Sequence, residues 1–136
     1  MADQWGFDKK IFALQSLKYD LPKDLAKSGE NYFAKNFDKQ QWNGVAWKPR
    51  LKETKQTEGK PILVRTGRLR EAMQHTIESA DYKEIVWKVN GVPYAEYLND
   101  GTNKMVQRKF MGGDKEFLHK MKARITFAFN KVMTAK

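Results

Sequence analysis

The chain has 136 residues and a net charge of +10, enough length for one domain with a modest core and too little for two independent ones. Its 40% hydrophobic content, with 8 Phe, 5 Tyr and 4 Trp, excludes a disordered chain. With no cysteine, no window near the ~18 apolar residues of a membrane span and no basic n-region in Met1-Ala2-Asp3-Gln4-Trp5, disulfides and thiolate metal sites are excluded and a soluble, unexported protein is expected.

Phe7, Ile11, Phe12 and Leu14 sit near helical spacing and predict a short amphipathic helix ending near Lys18. Asp20 then reads as the cap of a second helix, with Pro22 in its first turn and Leu21, Leu25, Tyr32, Phe33 and Phe37 on one face. Gly29 weakens its middle by about 1 kcal/mol relative to alanine. Trp42 and Trp47 around Asn43-Gly44 predict a loop anchored under that helix. The stretch Lys48 to Pro61 lacks periodicity and reads as a mobile polar loop.

Ile62-Leu63-Val64 is short and rich in β-branched residues, which predicts a buried strand or extended lead-in. Thr66 is placed to cap a short helix through Leu69, Ala72 and Met73. His75, Ile77 and Ser79, then Ile85, Trp87 and Val89, alternate with the period of strands and predict an antiparallel hairpin joined by Asp81-Tyr82-Lys83. Asn90-Gly91 can turn the chain, Pro93 stops a central strand, and Tyr94, Tyr97 and Leu98 share one side of a helical turn ended by a left-handed Gly101. After Gly112-Gly113, Asp114 caps a last helix on which Phe117, Leu118, Met121, Ile125, Ala128, Phe129 and Val132 form one stripe. Its other face holds Lys120, Arg124, Phe127 and Lys131; an aromatic among cations suits a contact surface, and equally a partly covered Phe at a helix edge.

The charge is uneven. Residues 39 to 70 carry nine basic and two acidic side chains, residues 71 to 103 two and six, and residues 104 to 136 nine and two. Such basic segments attract polyanions, and the alternation of sign also suits an acidic surface of one copy facing the basic flanks of the next; a solvated basic surface accounts for it as well. No helix-turn-helix, zinc finger or RNP signature accompanies the basic segments, so nucleic acid would be bound through phosphates without sequence preference.

Catalytic constellations are thin. His75 and His119 belong to no metal-ligand spacing, and no phosphate-binding glycine loop or nucleophile elbow is present. Neither a metal nor a cofactor is expected. One catalytic alternative is a small basic ribonuclease of the toxin kind, with Arg65, Arg68, Arg70, Tyr94 and Tyr97 around a phosphate.

Phe37 followed by Gly44-Val45-Ala46-Trp47, the lead-in Ile62-Leu63 with Thr66-Gly67-Arg68-Leu69-Arg70, then Tyr94-Ala95, Gly101 and Arg108-Lys109-Phe110 occur in an order that resembles the phage virion morphogenesis family of tail-completion and head-tail joining proteins. The resemblance spans residues 21 to 130; Leu98-Asn99 stands where a His often precedes the Gly, and Gln107 where a proline approaches the Arg. It implies a structural, non-enzymatic component of the virion, made in the bacterial host cytoplasm. Such a component would self-associate as a ring, a hexamer being the form the family suggests, against tail or head proteins around the DNA channel.

Together these readings predict a single α+β domain over residues 1 to 136: N-terminal helices, a small antiparallel sheet around Ile62 to Val89 and a long C-terminal amphipathic helix. The candidate contacts with sister copies, partners or DNA are Lys48, Arg50, Lys52, Lys55 and Lys60 in the loop, the cluster Arg65, Arg68 and Arg70, then Arg108, and the Lys120, Arg124, Phe127, Lys131 face.

Overall fold

A computed structural model describes residues 7–49, 59, 62–64, 67–103 and 106–134. The fold is α+β, with two long helices and two small antiparallel hairpins. Helix α1 spans Phe7–Lys39, strands β1 and β2 span Gln41–Trp42 and Val45–Ala46, and α2 spans Arg68–Ala72. Strands β3 and β4 span Ile77–Ala80 and Ile85–Trp87, α3 spans Ala95–Asp100, and α4 spans Lys115–Thr134.

The two expected N-terminal helices are one. Helix α1 runs 33 residues with Pro22 inside it, and Asp20 is an exposed mid-helix residue, not a cap. Proline removes one amide and crowds the carbonyl four residues back, that of Lys18, at a cost near 3 kcal/mol in an isolated helix. Packing overrides that penalty. Residues of α4 line a groove with α1 residues on both sides of the proline, and Pro22 itself is buried.

The C-terminal half of α1 carries the core. Tyr32, Phe33 and Phe37 pack with Trp42, Trp47, Leu69, Met73, Val92, Phe110 and Phe117. Phe33 stacks on Phe117 with centroids 5.1 Å apart, and Trp87 meets Phe33 edge-on at 5.6 Å. Gly29 has a packing reason: a Cβ there would lie 2.4 Å from a ring carbon of Trp87. Each of three indoles spends its N–H on a distant segment, Trp42 on the Asp114 carboxylate, Trp47 on the Lys109 carbonyl at 2.8 Å and Trp87 on the Ala26 carbonyl at 2.9 Å.

The anchored tryptophan loop is a tight hairpin. Trp42 pairs with Val45 across Asn43-Gly44, whose φ values of 51° and 80° are those of the turn that matches strand twist. Ile62-Leu63-Val64 is not a strand. Leu63 turns with φ 64°, and the Gln40 side-chain amide takes both backbone groups of Ile62, donating to its carbonyl and accepting from its amide at 2.9 Å each. No ladder hydrogen bond is left for Ile62 to make. The sheet therefore consists of separate hairpins rather than one sheet reaching back to Ile62.

Strands β3 and β4 form the expected antiparallel pair, Ile77 opposite Trp87 and Ala80 opposite Ile85, with an irregularity between Ile77 and Ser79. His75 lies before the strand, at an exposed bend, and Val89 beyond β4. At α2 the N-cap is Gly67, with φ 86° and no side-chain capping bond. The expected cap, Thr66, and most of the 48–61 loop lie outside the described residues. Gly101 ends α3 with φ 78° and ψ 166°, an extended glycine conformation rather than the left-handed helical one.

Helix α4 begins where expected, but its cap comes from elsewhere. Asp114 gives its carboxylate to Trp42 and Lys109, and the Asn43 side-chain oxygen accepts the Glu116 amide at 3.0 Å. The hairpin tip thus closes the helix start. Of the α4 stripe only Phe117 is buried; Leu118, Ile125 and Phe129 are exposed, and the distal half lies alongside the N-terminal half of α1, away from the core.

Candidate interaction surface

The described basic residues do not gather into one patch. Arg68, Arg70 and Arg108 are each drawn to a separate local partner. Arg68 donates to the Gly91 carbonyl at 2.6 Å, while Arg70 pairs with Asp38 at 3.2 Å. Arg108 donates to the carbonyls of Lys48 and Pro49 at 2.9 and 3.0 Å, so it fixes the exit of the tryptophan hairpin. Lys48 is exposed at the start of the polar loop. Arg50, Lys52, Lys55, Lys60 and Arg65 lie outside the described residues.

On α4, Lys120 sits 5.0 Å from the Tyr32 ring centre, and Arg124 grips Asp24 of α1 through two bonds of 2.6 and 3.0 Å. That hydrogen-bonded carboxylate outweighs desolvation and raises the Arg124 pKa further. Phe127 is 71% exposed, and Lys131 lines the same groove. The cationic face expected of this helix is therefore split: its first two members clasp α1, and its last two border open apolar surface.

That surface lies outside the core, between the two long helices. The N-terminal half of α1 and the distal half of α4 lie side by side beyond the core and leave a groove of about 830 Å³ lined by Phe12, Leu17, Leu21, Phe127, Ala128 and Val132 among others. A second groove of about 440 Å³ runs on the other flank, between α1, Phe129 and the Asp81–Ile85 turn. Phe7, Ile11 and Phe12 are 62%, 52% and 71% exposed, a concentration of large apolar side chains that a solvated face does not carry. Sequence periodicity identifies both apolar stripes, and it places only that of the C-terminal helix against the sheet. The α1 members of the buried core cluster run from Tyr32 to Phe37, so the earlier apolar residues of that helix lie beyond it.

A smaller cleft of about 240 Å³ brings Arg68, Glu71, His75 and Asn90 together. Among the residues named for phosphate chemistry, Arg68 lines it and Arg70 is turned to Asp38. No group of three or more His, Cys, Asp or Glu suited to a metal ion occurs among the described residues, and no described helix is long and apolar enough to cross a membrane.

One buried charge escaped sequence reasoning altogether. Glu30, 5% exposed, accepts the Thr76 and Ile77 amides at 2.9 and 3.1 Å, the Thr76 hydroxyl at 3.2 Å and Lys27 at 3.1 Å. Burial alone would raise its pKa, but Lys27 and the two amides outweigh it and hold the carboxyl below its usual value. Three of the bonds run inward to Thr76 and Ile77, and the fourth goes to the exposed Lys27 one turn back on α1. This carboxylate is a structural tie between α1 and β3.

The chain matches no family model, and no curated protein or solved structure is significantly similar to it.

Proposed function

We propose that this chain is a structural component of a phage or prophage virion, acting at the end of the tail or at the head-tail joint by docking onto copies of itself and onto tail or head proteins. The observation that carries the reading is the exposed apolar face of α1 and α4, large and aromatic, on a small chain whose core is complete without it. The order of Thr66-Gly67-Arg68-Leu69, Tyr94-Ala95, Gly101 and Arg108-Lys109-Phe110, similar to the virion morphogenesis family, supplies the setting. In that setting the protein is made in the bacterial cytoplasm, ends in the particle and forms a ring around the DNA channel. Cations such as Lys48 and Lys131 would meet DNA only through phosphates.

Deletion of the reading frame from its phage tests this. Separate capsids and tails, or particles that lose DNA, are the expected outcome, with antibody label at the tail end or neck of normal virions. Intact infectious particles without the protein would overturn it. So would RNA cleavage by the purified chain that Arg68→Ala abolishes without changing thermal melting; that result favours the ribonuclease alternative, for which the Arg68, Glu71, His75 cleft is the candidate site.

A further inference from the structure

We propose that residues 7–21, the N-terminal half of α1, form a latch that opens about Pro22 as one unit while the core stays folded. This is a property of the fold and stands apart from the assembly reading. Burial divides the helix at the proline. No residue from Phe7 to Leu21 is buried, whereas Ala26, Glu30, Phe33 and Phe37 beyond it are. The helix against which the latch lies divides likewise, for no residue of α4 after Phe117 is buried.

Ties to the rest of the molecule follow the same division. The C-terminal half of α1 is bonded across the fold by Glu30, which accepts the amides of Thr76 and Ile77, and by the Ala26 carbonyl, which accepts the Trp87 indole. Asp24, two residues past the proline, takes Arg124 in bonds of 2.6 and 3.0 Å, so α1 and α4 are clasped on the core side of the proline. The N-terminal half meets the fold through part-covered apolar side chains, Leu17 and Leu21 in the groove with Ala128 and Val132, and through Lys18, whose ammonium stands 4.2 Å from the ring centre of the exposed Tyr82.

Pro22 supplies the pivot. It has no amide to give the Lys18 carbonyl, and its ring crowds that carbonyl, so the helix is weakest where burial stops. A break there uncovers little buried area, while a break farther on would strip the aromatic core. Once released, a helix this short is marginal in water, so its amides become open to exchange. Opening bares the apolar side chains of the groove on both helices, and the latch thereby sets how much apolar surface a docking partner meets.

Native-state hydrogen exchange of the full chain, followed amide by amide, tests this. Residues 11–21 and 23–25 donate to carbonyls before the proline, and residues 26–37 to carbonyls from Pro22 onward. The first set should share one opening constant, roughly a hundredfold or more above that of the second, with the step between Leu25 and Ala26. Pro22→Ala restores a donor to the Lys18 carbonyl and should shrink the step by roughly tenfold or more, with the protection of residues 26–37 little changed. Protection that climbs gradually from the N-terminus without a step is end fraying and would overturn the inference. So would a single opening constant from residue 11 to residue 37, or a step that Pro22→Ala leaves in place. None of these outcomes depends on whether the chain enters a virion, so the two proposals fail separately.

Discussion

Glu30 and Thr76, 46 residues apart in sequence, meet in a buried contact in which one carboxylate oxygen accepts both the backbone amide of the threonine, at 2.9 Å, and its hydroxyl, at 3.2 Å. Glu30→Ala would strand two amides and a hydroxyl without an acceptor, and should lower unfolding stability by roughly 3 kcal/mol. Glu30→Gln, which keeps an acceptor but loses charge, should cost about half of that, and Thr76→Val about 1 kcal/mol. Urea midpoints of the three variants check the ranking.

The same carboxylate gives stability a dependence on acid. Glu30 is held below its usual 4.5; Asp114, hydrogen-bonded by Lys109 and, against some desolvation, by Trp42, is held below its usual 3.8. Folded values that are depressed mean that the unfolded chain takes up protons first. The contribution is therefore complete above the usual values and is lost as pH falls through the folded ones. Denaturation midpoints measured at falling pH should drop in this range, and less steeply in Glu30→Gln.

At the alkaline end the sign reverses. Burial and the negative charge of Glu116 push the Tyr32 phenol from 10.0 up to about 12. The folded chain keeps that proton longer, so its contribution is complete below pH 10.0 and is lost as pH rises from there to about 12. Among the described residues the buried Tyr32 hydroxyl meets no hydrogen-bond partner. Tyr32→Phe should thus be neutral or stabilising by up to about 1 kcal/mol at neutral pH, and should flatten the alkaline loss. Thermal melting of the variant across this range is the measurement.

Gly29→Ala separates local from tertiary preference. Alanine gains about 1 kcal/mol in an isolated helix, yet here its methyl would stand 2.4 Å from Trp87. The overpacking should win, with a net loss of roughly 1–3 kcal/mol and weaker burial of the Trp87 indole, read by its fluorescence. In the variant carrying Trp87→Leu as well, the alanine should become stabilising.

Much of the fold was legible because it depends on local pattern. The period of Ile85 and Trp87 marked β4, Asn43-Gly44 marked a turn whose positive φ values it adopts readily, and Gly112-Gly113 followed by Asp114 marked the start of α4. Less of the candidate surface was legible. Phe127, a residue that the sequence pattern singles out, is exposed, while the hold of Arg108 on the backbone of Lys48 and Pro49 carries no sequence signal.

By itself the sequence determined which stretches are helical or extended and which faces of them are apolar, since periodicity and turn chemistry act over a few neighbouring residues. Only the tertiary structure decided where those faces go. Whether α1 passes through Pro22, whether Asn43 caps α4, and whether the stripe holding Ile125 and Phe129 enters the core or borders a groove all turn on residues dozens of positions away. A proline penalty or an unburied methyl group is small beside the packing of two long helices. The sum of such long-range contacts, absent from any local window, settled each case.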